Sequence, residues 1–289
     1  MQIIINGVIS GLLIAMVAMS FSLVYLPTRV FHIALAGILT AAPFVAMAAM
    51  GKSVPAWAAM LLALLVAGTL SVLCELLNHR RLERRRASAG AHMVSSIGIY
   101  LILNQAVAIL WGNESHVLRS GIEGTFHVGA AVVTQVQGWT VIVSLIVFAG
   151  LFAWLRFTNH GLRLRALADN PVEFALLGYS VDRHRLFSFG LSGLVGATAA
   201  LLMAYDVGFD PHGGLYLLLL GVVAVIIGGR GSFLGPVVAG LLLGVLRAQV
   251  VWHLSARWQD VITFLILAGF LYVRPSGICG HASRLEADQ

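Results

Sequence analysis

Apolar residues gather in nine runs separated by short polar gaps, at residues 3–25, 30–50, 54–77, 94–111, 139–157, 186–205, 215–228, 235–252 and 261–273. A helix of about 20 apolar residues spans a bilayer, so the pattern predicts an all-α membrane protein, a polytopic helix bundle of about eight to nine crossings. The second run contains Pro43 and many small residues and the seventh is short, which predicts tilt, a kink or partial insertion for these two. The gap at 112–138 contains a glycine-bounded stretch, 125–133, that suits a short hairpin over the membrane surface. With no composition shift, heptad repeat or low-complexity tract, residues 1–289 read as one transmembrane domain.

Composition agrees with the pattern. Of 289 residues, 59% are hydrophobic and 10% charged, against about 25% charged in a soluble domain. The net charge of +6 arises from basic residues in the short gaps, which points to topology and excludes nucleic acid as a partner. Arg80, Arg81, Arg84, Arg85 and Arg86 face one acid, Glu83, in the gap 78–93, while Arg163, Arg165, Arg183 and Arg185 crowd the gap 158–185. Both gaps are therefore expected in the cytoplasm. Threading nine crossings from there puts the N-terminus outside and the C-terminus inside, with Arg29, Arg230, Arg274 and Arg284 also cytoplasmic and Lys52, Arg119 and Arg257 outside. The first run is too long for a signal-peptide core and is expected to stay as a crossing.

Catalytic chemistry finds no footing in the sequence. Gly51-Lys52-Ser53 has the tail of a phosphate-binding loop, but Ala46 stands where its first glycine belongs, so nucleotide binding is assigned to separate chains. Cys74 and Cys279 form neither a disulfide framework nor a metal cluster, and neither a cofactor nor a metal is expected. Glu75, Asp206 and Asp260 lie at the ends of runs, the ten histidines are scattered, and no nucleophile is paired with a base within one element. His32 and Arg247 are the candidates for an ion-coupled role, with interfacial anchoring, or for Arg247 a partner subunit, as the plainer reading.

The gap 158–185 carries the sharpest signal. Asn170 suits an N-cap, Pro171 the first helical position, Glu173 the third, and Gly178 a left-handed stop. These residues predict a helix over 171–177, too short to be stable alone in water. Its apolar members Val172, Phe174, Leu176 and Leu177 need a surface to pack on. Gly7 with Gly11, Gly240 with Gly244, and the series Gly190, Gly193, Gly196 predict close helix contacts. Asn6, Ser95, Ser96, Asn104 and Gln105 are polar groups in or beside the runs, and either line a solute pathway or bond between helices.

At these residues the sequence resembles the permease subunits of the branched-chain amino acid family of ABC importers, of the LivH kind. The match lies in Leu23-Val24-Tyr25 with Arg29, in Arg165 to Glu173 with Ala175 to Gly178, in Gly228 to Pro236 with Gly240 and Gly244, and in Arg274 to Gly277. The resemblance implies a non-enzymatic subunit of an inner-membrane importer. Two permease subunits, identical or homologous, would work there with two cytoplasmic ATP-binding subunits and a periplasmic solute-binding protein. It also implies that the short helix, with Arg165, Asp169, Asn170, Pro171, Glu173, Phe174, Leu176, Leu177 and Gly178, couples the permease to the ATPase. The family usually has Asn-Phe-Ala-His-Gly after the first run, whereas this chain has His32-Ile33-Ala34-Leu35-Ala36, so the cargo, an amino acid or a related small polar solute, is left open. The rival is an ion-coupled carrier without ATPases, which calls for a carboxylate inside the membrane.

Overall fold

A computed structural model describes residues 1–119, 124–129, 131–229, 231–274 and 277–279. Arg230, Arg284 and the Pro275-Ser276 part of the last matching stretch lie outside the described residues. The helices are α1 (Gln2–Thr28), α2 (Ala34–Met50), α3 (Ala56–Cys74), α4 (Arg80–Arg84), α5 (Ala89–Trp111), α6 (Gln135–Phe157), α7 (Asn159–Asp169), α8 (Pro171–Leu176), α9 (Val181–Asp206), α10 (Gly213–Gly228), α11 (Leu234–His253) and α12 (Gln259–Val273). A π-helical turn, Glu75–His79, joins α3 to α4, and a 3-10 turn, Ala256–Trp258, precedes α12. Between α5 and α6 lie two strands, β1 (Thr125–Val128) and β2 (Ala131–Thr134).

Among the described residues, seven helical segments are long and apolar enough to cross a membrane. The two shorter apolar helices are α2 and α10, the pair in which the sequence foresees departures from a full crossing. The expected loop at 78–93 is corrected: helix continues through the π turn to Arg84, and only residues 85–88 separate it from α5. Arginines sustain a helix well, and the break comes where Arg86 takes a left-handed φ of 52° and Ser88 caps α5 by accepting the Ala91 N–H. The gap 158–185 likewise holds a second helix, α7, whose N-cap Thr158 accepts the Gly161 N–H at 3.1 Å.

Two compact units divide the chain. One contains Met1–Met19, Gly121–Phe148 and Leu219–Gln289. Within it Gly7, Gly11 and Ala15 of α1 meet Gly240, Leu241 and Gly244 of α11 backbone to backbone. Apolar contact with lipid is as favourable as apolar contact with a neighbouring helix, so close approach over small residues is what selects the protein neighbour. The strands pair antiparallel with Thr125 opposite Thr134, as the glycine-bounded stretch suggests, and Gln2 bonds both backbone groups of Val132, at 2.9 and 2.8 Å.

Arg247 is corrected in the same unit. It is buried and forms an ion pair with Asp260 at 3.0 Å and a hydrogen bond to Thr263 at 2.9 Å, so its charge is met by α12 of its own chain rather than by the interface.

The second unit contains Ser20–Ser120 and Ala149–Leu218. Here α2 is surrounded by α3, α5 and α9, and Ala34 through Phe44 are buried without a break. Hydroxyl groups join the helices: Ser20 donates to the Ser192 carbonyl at 2.8 Å, and Ser71 to the Phe189 carbonyl at 2.6 Å. A Cβ on Gly193 would lie 2.7 Å from the Ala67 carbonyl oxygen, so α3 and α9 owe their spacing to that glycine.

A side chain at Gly244 has no room, because its Cβ would fall on the backbone of Gly11. Gly244→Val is therefore expected to separate α1 from α11 and to cost at least about 1–3 kcal/mol, the usual penalty of overpacking. Unfolding of the detergent-solubilised chain checks this.

Candidate functional site

The short helix forms much as its residues dictate. Asn170 Oδ1 accepts the N–H groups of Val172 at 3.0 Å and Glu173 at 3.2 Å, and Pro171 occupies the first helical position. The helix stops at Leu176, one residue earlier than expected. Leu177 already belongs to the turn, and Gly178 follows with a φ of 83° that favours glycine.

The apolar residues of α8 divide sharply. Phe174 is 1% exposed, stacked on Tyr179 at 5.2 Å and edge-on to His184 at 5.0 Å. Val172, Leu176 and Leu177 are 69, 82 and 72% exposed. One aromatic anchor thus fastens six residues to the protein and leaves an apolar surface uncovered. Glu173 and Asp169 are exposed, while Arg165 is half-buried with Nε lacking a partner among the described residues. Arg163, on α7, lies 4.7 Å over the Tyr179 ring and braces the turn after α8.

Behind α9 lies a polar cluster that the sequence does not reveal. Glu75, on the π turn, is buried, and Arg185 grips it with Nε to Oε1 at 2.7 Å and Nη2 to Oε2 at 3.4 Å. The third nitrogen of the guanidinium, Nη1, reaches Glu83 Oε2 at 3.2 Å. Arg80 and Asp182 add an outer pair at 2.6 Å.

Three of the scattered histidines meet beside this clamp. His79 Nδ1 is 3.2 Å from His92 Nδ1, and His79 Nε2 is 3.4 Å from His32 Nδ1. His92 Nε2 ends the row 3.7 Å from Glu83 Oε2. At the opposite end His32 Nε2 is buried without a partner among the described residues, edge-on to Phe189. One proton direction suits both ends: His32 donates to His79 and His79 to His92, which leaves the His92 Nε2–H turned toward the Glu83 carboxylate. It leaves a bare lone pair, not an N–H, facing Phe189. His32 is thus a core residue, which corrects its reading as an interfacial anchor.

The polar candidates on the helices have separate environments. Ser96 Oγ accepts the Ala34 N–H at 2.8 Å and so satisfies the start of α2, while Ser95 donates to Asn78 Oδ1. Asn104 is buried with Oδ1 unpaired among the described residues, Gln105 is exposed, and Asn6 is exposed and accepts from Gln2 at 3.0 Å. The sequence misses the Glu75–Arg185 clamp because its members are 110 residues apart. The only local sign is an acid at the end of an apolar run.

Residues 3–271 match the family described as the branched-chain amino acid transport system permease component. The chain belongs to this family. Similar proteins include the high-affinity branched-chain amino acid transport system permease protein LivH of Salmonella typhimurium, 30% identical over 195 residues. That match covers 65% of this chain and 63% of LivH, less than two thirds of the relative's length. BraD of Pseudomonas aeruginosa, named as a permease of the same kind of system, is 26% identical over 97% of this chain and 96% of its own. In fold alone, a chain of PsaBC from Streptococcus pneumoniae in complex with Fab is similar, with a TM-score of 0.51 and 12% identity over 98% of this chain and 94% of that one. This branched-chain permease family member is thus a multi-pass membrane protein, and the apolar helices have the length that requires.

Removing one side of the clamp strands the other charge in the interior. Glu75→Ala is expected to cost about 3–5 kcal/mol, whereas Glu83→Ala, at a largely exposed carboxylate, is expected to cost about 1 kcal/mol or less. Denaturant unfolding in detergent distinguishes the two.

Proposed function

We propose that the chain is the permease subunit of an ATP-driven importer, forming the translocation pathway for amino acids, foremost branched-chain ones, or a related small polar solute. ATP hydrolysis belongs to separate chains in the cytoplasm. A second permease subunit completes the pathway and a periplasmic solute-binding protein delivers the cargo. The location is the cell inner membrane, with the N-terminus in the periplasm and the arginine-rich ends of α4 and α7 in the cytoplasm. The names of LivH and BraD support the class of cargo.

One observation carries the coupling role: α8 is capped and anchored, yet presents Val172, Leu176 and Leu177 to solvent. A helix of six residues is about 9 Å long, and its exposed leucines gain from burial in a groove of a partner, about 1.5–3 kcal/mol each when fully covered. Docking of an ATP-binding subunit supplies that cover, and closure of the ATPases then acts on the membrane helices as a switch between two packings. Arg165, Asp169 and Glu173 flank the apolar surface and provide its charged border. Asn6, Asn104 and Gln105 are assigned to the pathway; Ser95 and Ser96 are occupied by bonds within the protein. The ion-coupled alternative has less support, since the buried Glu75 is already neutralised by Arg185.

An affinity-tagged chain is expected to recover an ATP-binding subunit, and Leu176→Asp or Glu173→Lys to lower that recovery by about tenfold or more, with membrane insertion unchanged. The loss corresponds to one buried apolar anchor. Equal recovery from both variants and the parent chain would reject the docking role.

A further inference from the structure

The first turn of α9 has one neighbour on each side, and three nearby positions divide between them. His184 meets Phe174 of α8 edge-on at 5.0 Å. Asp182 pairs with Arg80 of α4 at 2.6 Å. Arg185 spans the π turn, holding Glu75 with two nitrogens and Glu83 with a third. The turn is itself fixed, since Ser180 Oγ accepts the Arg183 N–H at 3.4 Å and His184 Nδ1 lies 2.8 Å from the Ser180 carbonyl oxygen.

The two sides differ in what they can transmit. Apolar contacts between membrane helices are non-directional and slide at little cost. A guanidinium fork held by two carboxylates is directional, and its geometry admits little slippage. Glu75 and Glu83 lie on either side of the boundary between the π turn and α4, so the fork holds the π turn and the helix that follows it as one piece.

We propose that Arg185 is the positioning residue that carries displacement of α8 into the π turn and α4, and so into the end of α3. The idea rests on the docking role of α8. A push on α8 is passed by Phe174 to His184, moves the first turn of α9, and reaches Glu75 and Glu83 through the guanidinium. Arg185→Lys keeps a cation for Glu75 but cannot hold both carboxylates. Glu83→Gln keeps the inner pair and weakens the outer arm.

The test uses the full chain assembled with its ATP-binding subunits in lipid nanodiscs. Backbone hydrogen exchange is compared with and without ATP-vanadate trapping, so that no transported solute has to be known. In the parent complex, trapping is expected to change exchange both in residues 171–177 and in residues 75–84. In both variants the response at 171–177 should persist while that at 75–84 falls by about fivefold or more, the lower end of ordinary coupling between sites. An undiminished response at 75–84 in both variants overturns the proposal. So does a parent complex in which 171–177 responds and 75–84 does not, or variants whose 75–84 segment is already unprotected before trapping, which would mark the fork as merely structural. If the parent chain recovers no ATP-binding subunit, or 171–177 does not respond, the docking role itself fails.

Discussion

Close approach of helices over small residues is the constraint on which the described architecture depends. In hydrocarbon there is no water to drive apolar side chains together, so a leucine gains little by exchanging lipid for protein. Contact must instead come from shape and from a few hydrogen bonds. Gly193 lets α9 rest on Ala67 of α3, while Ser71 and Ser20 donate to carbonyls of α9 that a larger neighbour would have covered. In the other unit, Gly11 and Gly244 leave no space for a Cβ. The many leucines of α3 and α12 face outward, where their role is to be soluble in lipid.

Against that background a buried Glu75 and Arg185 are costly, and their geometry is what makes them tolerable. All three guanidinium nitrogens reach carboxylate oxygens, and Glu75 is met at both of its own. A pair of this kind rarely adds much net stability over apolar side chains of the same volume, but it punishes any rearrangement that separates its members. The histidine row shares this character, because His79 is engaged at both ring nitrogens and each neighbour fixes the direction of the next proton.

What the sequence discloses and what it conceals follow from the range of the interactions. Helix caps are local: Asn170, Pro171 and Gly178 act within a turn of one another, and α8 could be delimited to within one residue. The apolar runs are also local, which is why the two helices short of a full span, α2 and α10, were visible as irregular stretches. The continuation to Arg84 was hidden because a polar surface segment of helix resembles a loop in hydropathy. The clamp and the histidine row are products of packing. Nothing near Glu75 names Arg185 as its partner, and His32, His79 and His92 become a group only when the segment entering α2, the π turn and α5 are folded together.

The π turn at Glu75–His79 has a consequence for how this chain can change over time. Such a turn holds about one more residue than a regular helical turn, so it sets the rotational phase of everything after it. If the same residues wound instead as an unbroken α-helix, the extra one would swing Glu83 by about 100° around the axis, a single residue's share of a 3.6-residue turn. A substitution that merely favours regular winding there would thus leave Arg185 reaching for a carboxylate on the wrong side of the helix.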